Sequence, residues 1–163
     1  MDDFIHKYNK YKEKYLLLKN ETIKEVSTTL EAQIGGEKKV FHDNKVFHDN
    51  IENLSIKNNY FRKVLFTTKN MQLVVMSLLP NENIPLEIHK EHDQFIKIEK
   101  GYGVAIIGNK NKKKIILKKG DCIIIPNNTY HEIKNIGNIK LKLYTIYTPP
   151  EHNAYRVDKK KPI

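Results

Sequence analysis

Residues 120–135 read GDCIIIPNNTYHEIKN, and this stretch decides the fold. A glycine turn leads into a run of isoleucines, which predicts a short strand, and His131 and Asn135 follow at fixed distances. A second stretch, residues 81–94, reads NENIPLEIHKEHDQ and is followed after six residues by Gly101. Both stretches combine turn residues, a strand and histidines, so they predict a site built at the ends of strands.

The sequence around these stretches has the texture of an all-β domain. Short runs rich in Val, Ile, Leu, Tyr and Thr are separated by Gly, Asn and Pro, and no helical period lies between them. Regularly spaced short strands without helices predict a sandwich or barrel. The predicted strands include Met71–Leu78, Phe95–Ile98, Val104–Ile107, Lys114–Leu117, Cys122–Ile125 and Leu141–Tyr147.

Flanking segments differ from the barrel, which we place at residues 47–150. Residues 1–38 predict a mobile helical extension, because aromatic and apolar residues recur there at spacings of three and four. Residues 39–50 are the hexamer KVFHDN written twice, which we interpret as a duplicated linker. Its two histidines are copies of each other and do not predict a metal site. Residues 151–163 are a basic, polar tail.

Composition limits the classes of function. The net charge of +10 includes six lysines between Lys110 and Lys119, which either reflect compositional drift or form a surface for polyanions. With two arginines and no tryptophan, we expect no specific nucleic-acid binding. The single cysteine, Cys122, is expected to be a small buried hydrophobe and excludes an internal disulfide. No apolar run is long enough to span a bilayer, so we expect a soluble, intracellular protein without membrane partners.

Together the two stretches resemble the paired motifs of the cupin superfamily. The second cupin motif is Gly, five residues, Pro-x-Gly, two residues, His, three residues, Asn. Here it is matched by Gly120, Pro126, His131 and Asn135, with Asn128 in place of the middle glycine. Asparagine tolerates a left-handed backbone better than most residues, so this replacement is compatible with the motif.

The first cupin motif keeps its spacing but changes its residues. It is Gly, five residues, His-x-His, three or four residues, Glu, six residues, Gly. His89 and Gly101 are retained, whereas Asn81 replaces the glycine, Glu87 the first histidine and Gln94 the glutamate. The resemblance implies a cupin jelly-roll barrel with an N-terminal helical extension. It is a strong signal for the fold and a weak one for any single activity.

By this resemblance, Glu87, His89, Gln94 and His131 occupy the metal-ligand positions. Two imidazoles and a carboxylate can hold one divalent ion such as Mn, Fe, Ni or Zn, with the neutral Gln94 as a weak fourth ligand. Glu87 is also a candidate catalytic base. The alternative is an emptied barrel in which these side chains only hydrogen-bond one another.

Other candidate residues are more loosely assigned. Arg62 either binds an anionic substrate group or forms a surface ion pair. Tyr130, beside His131, is a candidate substrate contact, although packing is the simpler role. We expect His92 to be exposed in the loop between ligand positions, and Tyr147 to pack in the barrel.

The combined expectation is a metal-binding cupin that binds or acts on a small polar molecule, with a sugar or sugar acid as first candidate. An enzyme of this type would be an isomerase, lyase or oxygenase. The alternatives are a metal-free carbohydrate-binding barrel and a viral structural or interaction protein. The barrel sequence resembles small single-domain cupins that are named after mannose-6-phosphate isomerase. The N-terminal segment resembles segments in giant DNA viruses. For a viral protein we expect a location in the host cytoplasm or in the virion. We also expect a homodimer, in which residues 46–56 supply an added strand.

Overall fold

The computed structural model describes residue 42 and residues 45–162. The expected helical extension over residues 1–38 lies outside the described residues, as does most of the first hexamer copy. The described part of the chain contains one short helix and ten strands. They are α1 (Ile51–Lys57), β1 (Arg62–Thr67), β2 (Gln72–Leu78), β3 (Asn83–Glu87), β4 (Asp93–Lys100), β5 (Tyr102–Ile107), β6 (Lys113–Lys118), β7 (Cys122–Ile125), β8 (His131–Asn135), β9 (Leu141–Thr148) and β10 (Val157–Asp158).

The strands form two antiparallel sheets. The larger has the order β10-β1-β2-β9-β4-β7 and the smaller the order β3-β8-β5-β6. Chain neighbours such as β3 and β4 lie in different sheets, as in a jelly roll. The prediction of an all-β cupin jelly roll is therefore confirmed for the described residues.

The core lies between the two sheets and follows the two-residue period of the strands. In the larger sheet, alternate residues of β2, β4 and β9 point inward, and β5, β6 and β8 supply the facing layer. The core side chains that are fully or almost fully buried include Val74, Met76, Leu78, Ile84, Ile96, Ile98, Ala105, Leu117, Ile125, Ile133, Leu141 and Leu143. This apolar layer ends where the sheets turn polar, at the row that contains Gln94 and Tyr147.

Helix α1 occupies residues that were expected to form a strand. The Asn50 side chain accepts from the Asn53 backbone N–H at 2.9 Å and caps the helix, and Glu52 and Lys57 suit its dipole at the two ends. The helix contacts β2, β4 and β9 of the larger sheet. The expectation of an added strand over residues 46–56 is wrong, because local capping outweighs strand propensity in this short segment. The homodimer remains a prediction, but an added strand at residues 46–56 no longer supports it.

Two motif glycines are replaced by asparagine, and the backbone shows why this is tolerated. Asn81 has a φ of 64° and Asn128 a φ of 58°, so both adopt the left-handed conformation that a motif glycine would supply. Gly101, which is retained, has a φ of 90°, and a Cβ there would lie 3.0 Å from the Lys140 carbonyl oxygen. The expected backbone role of these positions is confirmed.

Two further positions differ from expectation. Cys122 is exposed, because β7 is the outer strand of the larger sheet and only its alternate residues, Ile123 and Ile125, pack on the core. Strand β10 pairs with β1 and continues the sheet beyond the expected barrel boundary at Pro150. Within residues 45–162, no helix is long and apolar enough to cross a membrane.

Candidate metal centre

Three of the four proposed ligands meet at one end of the smaller sheet. Glu87 ends β3 and His131 begins β8, and the two are direct cross-strand partners. Glu87 Oε1 lies 3.3 Å from His131 Nε2 and 3.3 Å from His89 Nε2. His89 lies two residues after the end of β3. The structure thus brings together three of the residues that the sequence analysis proposed as ligands.

Gln94 faces the cluster from the larger sheet. Its side chain is fully buried, and its Nε2 donates to Thr145 Oγ1 and to the Tyr147 hydroxyl, each at 3.1 Å. Its Oε1 is a buried acceptor that has no hydrogen-bond partner among the residues that the structure describes. Gln94 also neighbours His89 closely enough to raise its pKa. The amide therefore presents its oxygen to the cluster.

The tautomer of His131 is fixed by the backbone. His131 Nδ1 lies 2.9 Å from the Thr129 carbonyl oxygen, which can only accept, so Nδ1 carries the hydrogen. In the neutral imidazole, Nε2 then carries a lone pair, and this atom faces the Glu87 carboxylate. This arrangement, in which one nitrogen is tied to a carbonyl and the other is presented inward, is typical of histidines that bind metal.

The donor set fits a divalent cation. The ligand atoms of Glu87, His89 and His131 lie within 4.8 Å of one another. Four buried polar atoms, namely Glu87 Oε1, His89 Nε2, His131 Nε2 and Gln94 Oε1, have no hydrogen-bond partner among the described residues. Buried polar atoms of this kind are normally satisfied by a proton, a water or an ion. Two imidazoles and a carboxylate are ligands that first-row divalent metals accept.

The pKa values of Glu87 and His89 are shifted because the two side chains lie close together in a buried site. Burial raises the pKa of Glu87, but the neighbouring imidazoles of His131 and His89 outweigh it and lower the pKa to about 2. Burial lowers the pKa of His89, yet the adjacent Glu87 carboxylate raises it overall. Glu87 thus stays ionised, and a proton on His89 is favoured. A carboxylate with so low a pKa is a weak base at neutral pH, which favours a ligand role over proton transfer.

Sequence reasoning missed part of the surroundings of this cluster. The Tyr147 ring is contacted edge-on by the imidazoles of His89, His92 and His152, at centroid distances of 5.7, 5.6 and 5.1 Å. Tyr147 does pack in the barrel as expected, and it also orients Gln94. The alternation along β9 could have identified it, because Tyr147 shares the inward face with Thr145.

His92 is buried, with 7% of its surface exposed, so the expectation of an exposed loop residue is wrong. The loop that carries it is held against the turn between β7 and β8, since Asn127 N donates to Asp93 Oδ1 and Asn128 N donates to the His89 carbonyl oxygen. These bonds turn His92 inward. The signal in the sequence was the spacing of three residues from His89 to His92.

The two candidate substrate contacts lie in different surroundings. Arg62 is buried and its Nη1 lies 3.2 Å from Asp158 Oδ2, so one side of the guanidinium is already paired, whereas its Nε has no hydrogen-bond partner in the described chain. Tyr130 is partly exposed beside His131, and its carbonyl accepts from Gly108 N. The cluster members are brought together, while nothing in the contacts of Arg62 or Tyr130 joins them directly to it.

Asn135, the last residue of the second motif, has a structural role. Its Nδ2 donates to the carbonyls of Leu78 and Ile139, and its Oδ1 accepts from Gly137 N. The side chain therefore joins β2 to the turn after β8. This explains the fixed spacing from His131 to Asn135 without any catalytic role.

A two-sheet jelly roll with a histidine–carboxylate cluster between its sheets is the architecture of a cupin-type barrel. The chain belongs to the cupin family: the family model described as "Cupin domain" matches residues 74–147. The matched span runs from β2 to β9 and contains all four proposed ligands.

The chain is also similar to a protein from a virus and to one from a bacterium. The chain is 45% identical over 114 residues to an uncharacterized protein of Acanthamoeba polyphaga mimivirus, covering 69% of this chain and 71% of the relative. It is 42% identical over 107 residues to the uncharacterized protein YrkC of Bacillus subtilis, covering 63% and 57%. The mimivirus relative supports the expected origin in a giant DNA virus.

Among solved structures, the protein BH2720 from Bacillus halodurans is similar. It shares 35% identity, with a TM-score of 0.67, and the match covers 74% of this chain and 93% of that chain. The protein TT1209 from Thermus thermophilus has a TM-score of 0.55 at 18% identity, which indicates a common fold.

Proposed function

We propose that this protein is a metal-binding cupin whose barrel binds, or acts on, a small polar molecule. The observation that carries the proposal is the convergence of Glu87 Oε1 with the Nε2 atoms of His89 and His131, at 3.3 Å each, without hydrogen bonds. Glu87, His89 and His131 would hold the ion, with Gln94 Oε1 as a weaker fourth ligand. Mn, Fe, Ni and Zn are all compatible with these donors.

A divalent ion in this set would supply Lewis acidity toward a carbonyl or hydroxyl oxygen of the ligand. The remaining tasks fall to the protein. Tyr147 and Thr145 hold the Gln94 amide in one orientation. Burial raises the pKa of the Tyr147 hydroxyl, so this group stays protonated and can only act as a neutral hydrogen-bonding group.

The bound molecule should be rich in acceptor oxygens. Arg62 Nε is a buried donor without a partner among the described residues. His152 is a second one: its Nδ1 accepts from Arg156 Nη1 at 3.3 Å, so its Nε2 carries the hydrogen, and this Nε2 has no described partner. Unpaired buried donors favour ligands with carboxylate, carbonyl or hydroxyl oxygens. Sugars and sugar acids fit this description.

A metal-free binding barrel is the second candidate, and the raised pKa of His89 favours it. A protonated His89 would neutralise Glu87, and the cluster would then be balanced without an ion. The barrel could still bind a polar ligand through Arg62 and His152.

Elemental analysis of the full chain, purified without a histidine tag, tests the proposal. We expect close to one equivalent of a first-row metal, lost on treatment with a chelator and restored by titration. Thermal shifts with a panel of sugars and sugar acids should then be larger for the loaded protein than for the metal-free protein. A folded protein that takes up no Mn, Fe, Ni or Zn would leave the metal-free barrel as the function.

A further inference from the structure

A second group of metal-type ligands lies directly beside the first. It consists of His89, His92 and Glu151, whose ligand atoms lie within 4.8 Å of one another. His92 Nε2 is 3.2 Å from Glu151 Oε2, and the rings of His89 and His92 pack with centroids 4.3 Å apart. This is again two imidazoles and one carboxylate, the donor set that divalent transition metals accept.

The two groups differ slightly in their access to solvent. His131 is 1% exposed and its counterpart in the outer group, His92, is 7% exposed. The side chain of Glu87 is 27% exposed and that of Glu151 is 35% exposed. Glu151 follows the last long strand and His92 lies in the loop before β4, so both come from the rim of the barrel. The outer group is therefore slightly the more exposed of the two.

The rim residues are held in place independently of the inner group. The residue after Glu151, His152, exchanges two hydrogen bonds with Gln72: His152 N donates to Gln72 Oε1 at 2.9 Å, and Gln72 Nε2 donates to the His152 carbonyl at 2.8 Å. The residue after His92, Asp93, accepts from Asn127 N. Such support from neighbouring residues is what a preorganised ligand set requires.

We propose that His89, His92 and Glu151 form a second cation-binding position at the rim of the barrel. It shares His89 with the inner position formed by Glu87, His89 and His131. The outer position goes beyond the proposed function, because it would bind an ion whether or not the barrel has a catalytic role.

Zn(II) titration of the metal-free full chain, followed by calorimetry and by NMR of the histidine side chains, tests this position. The starting variant is Glu87→Gln, which removes the inner carboxylate and keeps the shape of the side chain. We expect this variant still to bind Zn(II), with an affinity at least about 10-fold lower than that of wild type. The imidazole signals of His92 should shift on titration, and those of His131 should shift less.

Adding Glu151→Gln to Glu87→Gln should lower the remaining affinity by a further factor of at least about 10. The matched control is Glu91→Gln, an exposed carboxylate in the loop that carries His92, which should have no effect. The inference is overturned if Glu151→Gln changes nothing in that background, or if folded Glu87→Gln binds no Zn(II). In both cases wild-type binding would still support the inner position. Failure of wild type to bind Zn(II) would also overturn the second position, and the inner position would be lost as well only if Mn, Fe and Ni fail to bind.

Discussion

Glu87 Oε1 and His131 Nε2 face each other at 3.3 Å across the ladder between β3 and β8, and neither atom has a hydrogen bond there. The Thr129 carbonyl holds the hydrogen of His131 on the opposite nitrogen. Two lone pairs therefore point at each other in a buried site, unless a proton or a metal ion lies between them. This end of the barrel therefore presents buried acceptor atoms that a proton or a cation would satisfy.

One consequence is a pH-dependent contribution of Glu87 to the stability of the metal-free protein. The folded pKa of Glu87 is lowered from 4.5 to about 2, so its contribution is present above 4.5 and is lost as pH falls toward 2. The pKa of His89 is raised above 6.5, so the contribution of the pair is complete below 6.5 and is lost at higher pH. Urea unfolding of wild type and Glu87→Gln should therefore differ most between these limits, by about 1–3 kcal/mol. A difference that stays constant across pH would contradict the pairing.

His152 should add to the acid sensitivity of the protein, over a pH range that begins higher than that of Glu87. Burial, and then the charges of Arg62 and Arg156, lower its pKa from 6.5 to about 3. The unfolded chain binds a proton below 6.5 that the folded protein excludes, so stability should fall as pH drops from 6.5 toward 3. His152→Gln should flatten this part of the pH profile by a few kcal/mol. His48→Gln, an exposed histidine, is the control and should leave the profile unchanged.

The two copies of the hexamer should contribute differently to thermal stability, and two truncated chains can test this. His42, in the first copy, donates from its backbone N–H to the Thr67 carbonyl at 2.7 Å and stacks on Phe66 at a centroid distance of 4.9 Å. We expect a chain that begins at Lys39 to melt within a few degrees of the full chain, as dispensable terminal segments do. A chain that begins at Lys45 should melt lower, because it lacks these contacts. His42→Ala in the full chain keeps the backbone hydrogen bond and should reproduce only the part of that loss that comes from the ring. Equal melting of both truncated chains would show that His42 contributes nothing.

Turn residues and apolar alternation predicted the strands of an all-β domain. The jelly roll and the four proposed ligands came instead from the resemblance to the cupin motifs, whose spacings are kept in this chain. Helix α1 was not predictable from periodicity, because its seven residues span only two turns and its formation depends on the Asn50 cap. Glu151 was not predictable either, because its approach to His92 depends on the path that the chain takes after the end of β9.

The burial of His92 has the same kind of cause. Its loop is fixed by bonds from Asn127 and Asn128 to groups more than thirty positions earlier in the sequence. Long-range contacts of this kind leave no periodic signal in the chain.

Replacing Gln94 tests whether its oxygen belongs to the metal set. Glutamate in this position can accept hydrogen bonds from the hydroxyls of Thr145 and Tyr147, so the packing should be kept. Without metal, the new carboxylate would repel Glu87, and Gln94→Glu should lower the free energy of unfolding by about 1–3 kcal/mol. With Zn(II), the added charge should raise the affinity by at least about 10-fold and restore the stability.

Gln72→Glu is the matched control for this substitution. Gln72 is also fully buried, and it is the cross-strand partner of Tyr147 on the side of β9 opposite Gln94, but its amide is bonded to His152 and Thr67. A carboxylate cannot donate to the His152 carbonyl, so Gln72→Glu should lose stability with and without Zn(II) and gain no affinity. Both substitutions therefore lower the stability of the metal-free protein, but Zn(II) should restore the stability of Gln94→Glu alone. If Gln94→Glu binds Zn(II) no more tightly than wild type, or if Zn(II) fails to reverse its loss of stability, Gln94 is not a ligand and the inner position has only three.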